Sequence, residues 1–233
     1  MTHRSLPLAL VLCAALAPAA ALAQSGGTPA ETPAPTEQPQ AAEPAPGAPS
    51  LGEPVADENA PGRLYVAETF DDWQMTCERT GLEADPCELF QGLNDPNGGP
   101  VAEISLFNMP KGGEAVMGGT IVTPLETLLT QAVTMRIDGG QAKRYPFTFC
   151  APVGCVARVG FTQADLDAFR RGKAAEITIV PMVAPDQQVK LTMSLKGFTK
   201  GYDAVVAANT KAAEVIAKAA KEAQEAEAAK PAE

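Results

Sequence analysis

The stretch FTFCAPVGCVARVGF, residues 147–161, decides how the rest of the chain is read. Its two cysteines could be a redox pair, metal ligands or the staple of a hairpin. A thioredoxin-like pair has two residues between its cysteines on a strand-to-helix turn, whereas here four residues, APVG, separate Cys150 from Cys155 between two β-type runs. Structural zinc ligands come in close pairs, yet nine residues separate the other candidate pair, Cys77 and Cys87. Pro152 and Gly154 are turn residues. The stretch therefore reads as two strands and a tight turn, closed by its cysteines, and a β-rich domain is expected around it.

The start of the chain decides the redox compartment. Residues 1–23 combine Arg4, the apolar run LPLALVLCAALAPAAALA and an A-x-A site at Ala21 to Ala23, the pattern of a secretory signal peptide. With Pro7 and Pro18 and many alanines, the run falls short of the roughly 20 apolar residues that span a bilayer. A soluble exported product, periplasmic or surface-associated, is expected, with no transmembrane segment after cleavage. Cys13 leaves with the signal, so Cys77, Cys87, Cys150 and Cys155 remain, an even number that reads as two disulfides in an oxidising compartment. Four cysteines allow three connectivities, and locality favours Cys77 with Cys87 and Cys150 with Cys155. His3, the sole histidine, is lost too, which excludes histidine-based nucleophilic catalysis and imidazole metal sites.

The formal charge is -10, spread as six acids against one base over residues 24–63, sixteen against twelve over 64–200 and six against four over 201–233. No segment is basic. Nucleic acid and anionic lipid, which need clustered Lys and Arg, are poor partners. Residues 24–62 are rich in Pro, Ala and Glu, with Leu51 and Val55 their only larger aliphatic side chains, and read as a disordered spacer. Residues 63–200 hold nine β-type runs separated by NDPNGGP, PKGG and DGGQ, as expected of one antiparallel β-sandwich or partly open barrel. One short helix is expected after Thr162, with Asp165 completing a capping box and Arg170 and Arg171 as solvated charges at its C-terminal end. Residues 201–233, rich in Ala, Lys and Glu, read as a helical tail whose first turns could pack on the domain.

Other candidates weigh toward structure. Trp73 on an alternating run reads as core. Asp71 and Asp72, neighbours on a β-type run, point to opposite faces and make no acid/base pair. Gly118 and Gly119 suggest a bulge or tight corner. No catalytic, cofactor-binding or metal-binding residue is predicted, and no cofactor.

The order of DWQMTC, CELFQGL, ISLFNMPKG, RIDGG, YPFTFCAPVGCVARVGF, FRRGK and LTMSLKGFTKGYDAV, across residues 69–206, resembles the invasion-associated locus B family of exported alphaproteobacterial proteins. That resemblance implies a small, mainly β envelope domain with two cysteine pairs, at Cys77, Cys87, Cys150 and Cys155 here, and a link to host-cell entry in pathogenic relatives with no reaction attached. The function expected is a non-enzymatic binding or structural module whose partner is an envelope or surface protein or polymer. The alternative is a periplasmic glycan hydrolase using two carboxylates alone, about 5 to 10 Å apart in a cleft.

Overall fold

Alternating side chains make strands here wherever a turn lets the chain reverse. The computed structural model describes residues 57–95 and 97–228; the expected signal sequence, nearly all of the expected spacer and the last five residues of the chain lie outside them. A meander of β1 (Leu64–Phe70), β2 (Trp73–Glu78), β3 (Cys87–Asn94), β4 (Pro100–Asn108) and β5 (Met117–Thr123) comes first. A 3-10 turn at Leu129–Gln131 leads into β6 (Val133–Ile137) and β7 (Lys143–Tyr145), then the hairpin β8 (Phe149–Ala151) and β9 (Gly154–Phe161). Helix α1 (Gln163–Arg171), β10 (Ala174–Ile179), β11 (Val189–Ser194) and helix α2 (Phe198–Ala228) complete the order.

These strands form two antiparallel sheets, ordered β1-β2-β3-β4-β5-β9-β8 and β11-β10-β6-β7, in an open sandwich. The period-two pattern selects the inner face: Cys87, Leu89, Gln91 and Leu93 of β3 are buried, as are Leu191 and Met193 of β11. Trp73, Ile104, Ile121, Phe161, Phe169, Ile177 and Phe198 fill the space between the layers. Among the described residues, β1 and β8 are the edge strands of the larger sheet.

Helix α1 starts at Thr162, whose hydroxyl accepts from the Asp165 backbone N–H while the Asp165 carboxylate accepts from the Thr162 N–H. It buries Leu166 and Phe169. Arg170 does more than complement the helix end, because it pairs with Asp203 of α2 at 2.6 Å. Helix α2 begins at Phe198, ahead of the shift in composition at Gly201, and its first turns belong to the core: Phe198, Gly201, Tyr202, Val205 and Ala212 are buried. Gly197 makes this entry possible. Its φ is +88°, and a Cβ there would lie 2.0 Å from the Phe70 carbonyl oxygen. At 31 residues the helix is about 46 Å long, and its residues after Ala217 are mostly exposed.

Three local expectations are corrected. Gly118 and Gly119 lie in unbroken register with β4 and β9, with no bulge. They are glycines because neighbouring side chains cross them: a Cβ on Gly119 would sit 2.7 Å from Leu106 Cδ2 and from the Ser105 carbonyl oxygen. The irregularities fall in β1, between Val66 and Glu68, and between Leu93 and Asn94. Asp71 and Asp72 are the two-residue turn of the β1–β2 hairpin rather than strand, since aspartate tolerates the left-handed φ of +53° at Asp71. Finally, the run YPFTFC is divided between β7 and β8, which belong to different sheets. Strand β1 itself lies outside the nine runs legible in the sequence.

Candidate binding surfaces

The four cysteines form Cys77–Cys87 and Cys150–Cys155, each joining residues directly opposite in an antiparallel ladder with Cα atoms 4.0 Å apart. The first lies in a pair without mutual backbone bonds, because the Glu78 N–H donates instead to the Pro86 carbonyl. Such pairs bring side chains closest. The strand registers set the two disulfides at opposite ends of the seven-stranded sheet. Among the described residues no three His, Cys, Asp or Glu side chains converge as a metal site requires.

Two carboxamides brace the layers. Gln91 of β3 accepts from the Ser194 N–H (2.8 Å) and donates to the Ser194 carbonyl (3.1 Å), and the Trp73 indole N–H donates to that carbonyl too (2.9 Å). Asn209 of α2 accepts from the Cys87 N–H (2.7 Å) and donates to the Cys87 carbonyl (2.9 Å). Each amide thus does for one residue what a neighbouring strand would do. Asp72 accepts from the Ser194 hydroxyl (2.6 Å) and Asp71 pairs with Lys196 (3.1 Å), so both turn aspartates serve the same junction.

Near the Cys77–Cys87 end, Tyr65 of β1 donates its hydroxyl to Asp85 (2.9 Å). The Thr80 backbone N–H, with help from the Tyr65 and Thr80 hydroxyls and Arg79, holds the Asp85 carboxyl below the ordinary carboxylate range. Beside it an open groove of about 560 Å³ runs between the strand ends and α2. Leu64, Phe107 and Ile216 give it apolar walls; among the described residues, Glu78 and Glu88 are its only charged lining. Thr76 is opposite Glu88 in the ladder, so these two glutamates are diagonal neighbours on one face, their Cα atoms about 7 Å apart.

At the Cys150–Cys155 end three loops converge. The Leu128 N–H donates to the Val180 carbonyl and the Met182 N–H to the Glu126 carbonyl. Gly154 lies against the Thr123 carbonyl, leaving no room for a side chain. The result is a rim of large apolar side chains in solvent: Leu125, Leu129, Val153 (79% exposed), Met182 and Val183 (76% exposed). Sequence reading passes over this rim, because an apolar side chain in a turn-rich segment carries no periodicity to say which way it points. Contiguous exposed apolar surface is what marks an interaction site.

The architecture and these surfaces define a disulfide-stapled β-sandwich module with apolar surface at both ends of its larger sheet. The chain belongs to the invasion associated locus B (IalB) protein family, whose model matches residues 73–206. It is similar to invasion protein B homologs of two Brucella abortus strains, 2308 and 9-941. Each is 25% identical over 146 residues, covering 63% of this chain and 82% of the relative. The crystal structure of invasion associated protein B from Bartonella henselae has the same fold, with a TM-score of 0.53 at 21% identity, covering 62% of this chain and 97% of that one. No described helix is long and apolar enough to cross a membrane. Two disulfides and the family fit an exported envelope protein.

Proposed function

We propose that the chain is a non-enzymatic binding module of the cell envelope, held in the periplasm or at the surface, that engages an envelope or surface protein through its apolar loop rim. The observation that carries this is the rim itself: Leu125, Leu129, Val153, Met182 and Val183 are exposed on three loops, two of them joined by backbone bonds and the third closed by Cys150–Cys155. A rigid apolar patch loses little conformational entropy on docking. The relatives are named for invasion, a setting in which such a module would act by contact.

A photo-cross-linking residue at Val153 or Met182, in the full chain expressed in its own cell, should give a discrete protein adduct. The same residue at Lys221, on the exposed part of α2, should not. Absence of any adduct from either rim position would overturn the reading.

Glu78 and Glu88 keep a second reading alive, since they share a groove as a carboxylate-only glycan hydrolase requires. Under that reading the mature chain releases reducing ends from purified envelope glycan and Glu88→Gln abolishes the release. No release by the unaltered chain would dismiss it.

A further inference from the structure

We infer that a cavity between β6, β7 and α1 binds a small neutral molecule built of one aromatic ring and a hydrogen-bond acceptor. Its lining shares no residue with the apolar rim or with the groove beside Glu78, and the inference depends on neither.

The ladder places the residues. In the smaller sheet Lys143 faces Met135 and Tyr145 faces Val133, and partners in a ladder share a face, so both β7 side chains lie on the same side as the buried Met135 and Val133. Beyond Tyr145 the chain leaves for β8 in the other sheet. Here a cavity of about 260 Å³ remains, walled by Met135 and Ile137 of β6, Phe161 of β9 and Ala168 of α1. Gly140, Gln141 and Lys143 are its exposed lining residues and mark its mouth. An apolar cavity of about 150 Å³ holds a benzene ring, whereas drug-sized ligands need roughly 300 to 1,000 Å³. The space therefore fits one ring with a short substituent.

The polar groups select the ligand. Tyr65 donates its hydroxyl to Asp85 and Tyr202 donates to the Val116 carbonyl, but the half-buried Tyr145 has no partner for its hydroxyl among the described residues. Burial first, then the Asp165 carboxylate, pushes this phenol up to about 12, so at neutral pH it keeps a proton to donate. Among the described residues Lys143 is the one cation of the lining, and Asp165 holds it at 2.6 and 2.7 Å; Asp165 in turn accepts from the Thr162 N–H and hydroxyl. Neither charge is left for a charged ligand, and an ion entering between these apolar walls would lose its water uncompensated. An inward lysine discourages further pairing on the edge strand β7, which explains Lys143 but not an unpartnered phenol. A neutral acceptor on the ring satisfies it.

The test uses the full mature chain with labelled methyl groups and, as probe, benzamide, one ring with a neutral carbonyl. Benzamide should shift the NMR signals of Met135, Ile137 and Ala168 with a Kd of about 1 mM or below. Benzoate, alike in shape but charged, should bind about tenfold more weakly. Tyr145→Phe, which removes a hydroxyl that bonds no described residue, should leave the thermal midpoint unchanged and weaken benzamide binding about tenfold. N-acetylphenylalaninamide carries the same ring on a backbone and should also bind about tenfold more weakly than benzamide, because the Lys143–Asp165 pair ties β7 to α1 at the mouth. The inference is overturned if benzamide shifts none of the three signals, if Tyr145→Phe binds it as tightly, or if benzoate binds as tightly as benzamide. Equal binding of N-acetylphenylalaninamide would overturn it too, by making the ring a partner's side chain.

Discussion

Gln91 and Asn209 each use a side-chain amide to pair with both backbone groups of one residue, and in doing so they bridge elements more than a hundred positions apart in the chain. Because the desolvated groups of Ser194 depend on Gln91, Gln91→Leu should destabilise the fold by about 2 to 3 kcal/mol, read from urea unfolding. A methyl group is enough to disturb the neighbouring ladder. Gly119→Ala brings a Cβ against Leu106 and the Ser105 carbonyl and should cost about 1 to 3 kcal/mol, whereas Gly92→Ala, with nothing within 4 Å, should cost no more than about 0.5 kcal/mol. Both glycines look alike in sequence. Only the side chains that cross them differ.

The elements are tied by short polar links between their ends. Asp138, in the turn after β6, accepts from the backbone N–H groups of Lys173 and Ala174 (both 3.0 Å) and so clamps the α1–β10 connection. Those N–H groups, Ala174 first and Lys173 second, hold its carboxyl below the ordinary range. Since the folded value lies under the unfolded value of about 3.9, the stabilisation is complete above about pH 4 and is lost as pH falls through the folded value. Asp138→Asn should therefore lower the urea midpoint at neutral pH, with the difference from the unaltered chain shrinking as the medium is made acid, checked by unfolding curves across that range. Helix α2 divides along its length. Tyr202→Ala, which empties a buried site stacked on Phe198, should cost about 3 to 5 kcal/mol in urea unfolding. Ending the chain after Ala217 should change stability by no more than about 0.5 kcal/mol in the same measurement, because the residues removed are mostly solvated.

Across the whole molecule the two disulfides meet solvent differently. Cys150 is exposed, while Cys77, Cys87 and Cys155 are buried. Mild reduction of the folded chain followed by alkylation should label Cys150 and Cys155 first and leave Cys77–Cys87 intact until unfolding, as peptide mass spectrometry would show. The stapled ends hold the surfaces on which function is proposed, the apolar rim at one and the groove lined by Glu78 and Glu88 at the other. Both rest on the same rigid sheet.

The chain's own residues determined what is local. Alternation along CELFQGL and VKLTMSL marks strands, DGGQ marks a turn, and Thr162 with Asp165 starts a helix, because each depends on periodicity or on bonds a few residues long. The order of those strands was not legible. Strand β5 lies beside β9 although β6, β7 and β8 come between them in the chain, and Tyr145 and Phe149, four residues apart, join different sheets. Nor could the sequence show that Asn209 caps β3, that Gly118 and Gly119 run straight, or that Leu64 and Leu125 stay in solvent. Side-chain direction and the edge position of β1 are set by which elements pack against which, and packing is a property of the assembled core.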